Sequence, residues 1–98
     1  MRMIDDLKNV IKQAEQRVHI GEVYAHFRNP EHLYKVLAIA IQEETEEPSV
    51  VYQALYGDKL IWVRAVSVWC ESIDHKGLRL PRFILKSAKP DAGNRLSL

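Results

Sequence analysis

Residues 50–64 read Val-Val-Tyr-Gln-Ala-Leu-Tyr, then Gly-Asp-Lys, then Leu-Ile-Trp-Val-Arg. Two runs of β-branched and aromatic residues around a short polar connection read as an antiparallel hairpin. Its strands are expected over residues 50–56 and 60–64. Gly57 can take the positive φ that a tight connection needs. A two-stranded hairpin is marginal in water by itself, so the flanking segments must complete a sheet around it.

They are written to do so. Ile4, Leu7, Ile11, Ala14 and Val18 recur at steps of three and four, which predicts an amphipathic helix over residues 4–18. Asp5 and Asp6 stand in its first turn, where the helix dipole favours negative charge. Residues 22–28 alternate as a first strand, and Asn29-Pro30-Glu31 has turn chemistry. Residues 32–42 form the longest apolar strand. Leu33, Leu37, Ile39 and Ile41 alternate with Tyr34, Val36, Ala38 and Ala40, so both faces are apolar and the strand is expected at the centre of the sheet. Glu43, Glu44, Glu46, Glu47 and Pro48 make an acidic solvated loop. After the hairpin come a strand over 68–74, a turn at His75-Lys76-Gly77 and a last strand over 78–86. Pro81 marks that strand as an edge or a bulge. Residues 87–98 are poor in apolar side chains and are expected to be a disordered tail. The pattern is mainly β: five or six antiparallel strands in a small barrel or roll, with an N-terminal α-helix. The helical segment covers residues 1–20 and the β domain residues 21–86.

The 98 residues fit one domain. Cys70 is the sole cysteine, so no internal disulfide can form, which suits a reducing cytoplasm. Asp5, Asp6, Lys8 and Lys12 interrupt any signal-peptide apolar core, and no run approaches a membrane span. A soluble cytoplasmic protein with no membrane association is the expectation. The net charge of +1 carries no nucleic-acid signal by itself.

A family resemblance rests on a string of positions. These are Gly21, Tyr24, His26 and Phe27; Tyr34-Lys35-Val36; Glu44-Thr45; Val50-Val51-Tyr52 with Ala54-Leu55-Tyr56; Trp62-Val63-Arg64; and Pro81-Arg82-Phe83. On these residues the chain resembles the small bacterial proteins grouped as domain of unknown function 1653. That resemblance implies an SH3-like barrel and brings no assigned activity. The chain departs from it at Ile41-Gln42-Glu43, where members often carry Arg-His-Ser, at Gln53, commonly arginine, and at Ala65, usually proline. The helix and the tail lie outside the matched stretch.

Two surfaces are candidates for binding. Tyr52 and Tyr56 share one strand face, and Trp62 and Arg64 share one face of the next strand. If register brings them together they form an aromatic face with an arginine, to which Tyr24, His26 and Arg82 can add. Such a face clamps a peptide or stacks bases. The competing reading is that these rings fill the core and Arg64 pairs with an acid such as Glu44. The second surface is a basic edge carrying Arg79, Arg82 and Lys86, a nucleic-acid footprint or an ordinary charged edge strand. Cys70 and His75 lack an orienting partner at recognisable spacing, and the histidines match no zinc spacing. The expectation is a non-enzymatic binding or adaptor domain, without cofactor or metal, that recognises a peptide or protein partner. Nucleic-acid binding is the alternative. The chain is expected as a monomer, or as a weak dimer through the N-terminal helix.

Overall fold

The computed structural model describes residues 3–87. Of the disordered tail predicted over residues 87–98, Ser87 is instead the last residue of a strand, and residues 88–98 lie outside the described residues. The chain runs α1 (Ile4–Arg17), β1 (Val23–His26), β2 (Asn29–Ile41), β3 (Pro48–Ala54), β4 (Ile61–Ala65), α2 (Val66–Trp69), β5 (Ser72–His75), β6 (Leu78–Pro81) and β7 (Phe83–Ser87). An antiparallel five-stranded sheet is ordered β4-β3-β2-β1-β7, and β5 and β6 form a separate hairpin. The fold is thus mainly β with an N-terminal helix. The sheet is open, with β4 and β7 as its edges, an order compatible with a small barrel that has not closed.

α1 lays its C-terminal half on the sheet. Ala14 and Val18 are buried with Tyr24, Val36, Val50, Tyr52, Val66, Trp69 and Phe83 in a single core. The Val18 N–H still donates to Ala14 O at 2.8 Å, so the helix ends as its apolar stripe enters that core. Ile4, at the other end, is exposed.

β2 is central, as its composition requires, but it is not regular. Val36 pairs with Tyr52 and Ala38 with Val51, which leaves Leu37 as an extra residue. This bulge switches the parity of the strand. Tyr34 and Val36 point inward before it, and Ile39 and Ile41 after it, opposite the inward Val50 and Pro48.

Four local expectations are corrected. Asn29 and Pro30 belong to β2, and the chain turns at Phe27 and Arg28 instead. Proline is tolerated there because it falls in the register break that follows Asn29, where it has no partner in β1 and no ladder donor is needed. The hairpin loop is wider than predicted: β3 ends at Ala54, so Tyr56 lies in the connection. Gly57 and Lys59 both have positive φ there. The strand predicted over 68–74 is instead α2 followed by β5. Val66 and Trp69, three apart, are both buried, and the Cys70 N–H closes the turn onto Val66 O at 2.9 Å. Anchoring two large residues in one core from the end of an edge strand takes a helical step of three, not alternation. The last predicted strand is two, broken at Arg82. Pro81 ends β6, and the Arg82 N–H then donates to Glu71 O at 2.9 Å.

Candidate functional site

The hairpin register settles which side chains share a face. Tyr52 pairs with Trp62 and Val50 with Arg64, so all four share the face of the sheet that carries the core. β2 adds Tyr34, whose Cα partner is Ala54. Tyr34, Tyr52, Tyr56, Trp62 and Arg64 line a shallow cleft of about 200 Å³. A second depression of about 120 Å³ adjoins it, and Tyr56 and Trp62 line both. Those two rings therefore form the wall between the hollows.

The wall is braced from behind. The Tyr34 and Tyr56 hydroxyls hydrogen-bond at 2.7 Å. Their rings meet edge to face at 5.5 Å, and His32 stacks on Tyr56 at 4.0 Å. Burial, then the bond to Tyr56, pushes the Tyr34 phenol well above its ordinary value, so it stays protonated. Beneath the cleft, Trp69 stacks on Phe83 at 3.7 Å, and the Arg64 guanidinium lies 5.5 Å from the Phe83 centroid.

Arg64 has no carboxylate partner within 4 Å among the described residues, so the expected pairing with Glu44 is absent. The other arginines singled out in the sequence are engaged. Arg82 pairs with Glu71 at 2.6 Å and also donates to Val68 O, and Arg79 pairs with Asp74 at 3.2 Å. Only Lys86 of the predicted basic edge remains exposed without either tie. Arg79 and Arg82 thus form two neutralised pairs, not a positive strip.

The rings divide between core and surface. Tyr24 is buried, its hydroxyl accepting the His19 N–H at 2.9 Å, and belongs to the core, not to a binding face. Tyr52 is 5% exposed and serves as the floor of the cleft, whereas Trp62 is 49% exposed. His26 is half-buried near Phe83. Burial, followed by the positive charges of Arg64, Arg82 and Arg28, pushes its pKa down, and its Nδ1 accepts the Arg28 N–H at 3.2 Å. Tyr34 and Phe83 are the site residues the strand pattern did not single out. Their place depends on pairings between distant strands, which the sequence does not spell.

Burial pushes the Cys70 thiol up, with Arg17 opposing more weakly, so the thiol is held protonated. No group of three or more His, Cys, Asp or Glu among the described residues is arranged to hold a metal. No helix among them is long and apolar enough to cross a membrane.

The comparisons with known proteins bear on the fold. The model of a family described as a protein of unknown function, DUF1653, matches residues 22–85. A crystal structure of a DUF1653 protein from Bordetella bronchiseptica superposes with a TM-score of 0.63 and 28% identity, covering 76% of this chain and 97% of that one. No curated protein matches. With the family model spanning the sheet from β1 into β7, this chain belongs to the DUF1653 family.

Proposed function

We propose that the chain is a non-enzymatic recognition module, and that it binds an extended peptide segment of a protein partner in the Tyr34–Tyr56–Trp62–Arg64 cleft. The observation that carries this reading is the pair of shallow hollows divided by Tyr56 and Trp62. Hollows on either side of an aromatic ridge suit an extended chain, whose side chains drop alternately to each side. Arg64, held in place by Phe83 and without a carboxylate partner among the described residues, offers a planar fork to an acidic side chain of the ligand. A small shallow surface of this kind fits transient association. Burial, which holds the Cys70 thiol protonated, supports a non-catalytic role. A single cysteine fits a reducing compartment.

The nucleic-acid reading is weaker, because Arg79 and Arg82 spend their charge on Asp74 and Glu71. The test is an amide and indole chemical-shift titration of the labelled protein. One arm adds a degenerate peptide pool with a fixed glutamate, another the same pool with lysine there, and a third a mixed single-stranded oligonucleotide. Shifts at Tyr56, Trp62 and Arg64 with the glutamate pool, surviving high salt, are expected. Shifts only with the oligonucleotide, abolished by salt, would replace the peptide reading, since counterion release drives nucleic-acid binding.

A further inference from the structure

β4 is an open edge that lacks the usual protection. Ile61 and Val63 are 58% and 60% exposed, and the strand Ile-Trp-Val-Arg-Ala contains no proline, lysine or bulge. Such an edge is a template for pairing with another strand. Its backbone direction can be read from the loop: the Ala54 N–H donates to Leu60 O at 2.9 Å. Leu60 therefore turns its backbone polar groups toward β3. Alternation gives Trp62 and Arg64 the same direction and points the N–H and C=O of Ile61, Val63 and Ala65 away from the sheet.

We infer that β4 pairs with β4 of a second copy of this chain, antiparallel across a two-fold axis at Val63. The sequence is self-complementary in that register. Val63 meets the partner's Val63, and Ile61 meets the partner's Ala65, so the outward N–H and C=O groups satisfy one another. Trp62 falls opposite the partner's Arg64, and Arg64 opposite the partner's Trp62. Those are non-hydrogen-bonded positions, where cross-strand side chains approach most closely. The guanidinium then stacks on the indole, a cation–π contact made twice by symmetry. No like charges face each other anywhere along the pairing. The pairing shares Trp62 and Arg64 with the peptide cleft, but its tests read the β4 backbone and Val63, which lies on the other face of the sheet from the cleft, so its failure is distinguishable from failure of the peptide reading.

Sedimentation equilibrium of the full chain over a range of concentrations tests it. A mass rising from 11.4 kDa toward twice that value is expected. Val63→Lys sets two ammonium groups against each other on the axis and is expected to raise the dissociation constant at least ~10-fold. Val63 is a surface residue, so circular dichroism of the variant should match the parent. Amide exchange on the unaltered protein gives a reading that needs no variant. The Ile61, Val63 and Ala65 amides should slow with rising concentration, while the exposed loop amide of Asp58 should not. A monomer at every concentration would overturn the inference, as would a dimer that Val63→Lys leaves intact or a concentration-independent Val63 amide. Failure of the peptide titration would leave these results standing.

Discussion

Tyr52 and Trp62 face one another across β3 and β4, and their exposures differ because β3 has strands on both sides while β4 has none beyond it. The difference separates floor from wall. Trp62→Ala is therefore expected to lower peptide affinity at least ~10-fold while changing unfolding free energy by under ~1 kcal/mol, as surface truncations do. Titration and chemical denaturation of the same variant check the two halves. An unfolded variant would make Trp62 a core residue and remove the wall. Another single-residue effect belongs to His26. Its folded pKa lies below the unfolded value, so the unfolded state binds the proton more readily. The stability it contributes is complete above about pH 6.5 and is lost as pH falls from there through the folded pKa. Protonation also removes the Nδ1 acceptor of the Arg28 N–H. Midpoints measured from pH 7.5 down to 5 should fall, and His26→Gln should flatten that slope. At this scale the candidate site was half legible. Trp62 and Arg64 follow from strand alternation, but Tyr56 reaches the cleft from the connection after β3, Tyr34 enters through its pairing with Ala54, and Tyr24 is removed by a buried hydroxyl bond to His19.

The elements show where alternation misleads. Both faces of residues 32–42 look apolar because the inward set changes parity at Leu37. A single extra residue converts one half-buried strand into two offset halves, and no residue type marks the place. The step from β4 into α2 hides for a similar reason: Val66, Val68 and Trp69 are residues favoured in strands, and burial of Val66 with Trp69 overrides that preference. α2 holds Trp69 in its stack on Phe83 and thereby supports the ring that positions Arg64. Trp69→Ala should cost about 3–5 kcal/mol through the cavity it leaves, and Trp69→Phe considerably less. Denaturant midpoints compared at equal slope check both. The α1 stripe and the β3–β4 pairing were legible because each is a local period repeated several times.

On the scale of the whole molecule, the family match begins at residue 22, while the core includes Ala14 and Val18 from the segment before it. A chain shortened to begin at Gly21 removes Ala14 and Val18 from that core. It should lose cooperative thermal unfolding, which calorimetry would show as a missing transition. The hairpin of β5 and β6 stands apart from this core. Among the described residues it pairs only with itself; Arg82 and Glu71 bond across its base, and ties to the rest run from Arg82 to Val68 O, from the Phe27 N–H to Arg82 O, and through the ring contact of His75 with Phe27 at 5.2 Å. Its two-residue turn has positive φ at both Lys76 and Gly77, the geometry that lets strands reverse without splaying. Arg82 thus clamps the base of the hairpin through Glu71 and ties it to Val68 and to the Phe27 N–H. A fluorophore or a short foreign sequence grafted between Lys76 and Gly77 would ride on that hairpin, outside the ladders of the five-stranded sheet, making the turn a natural handle for immobilising the protein.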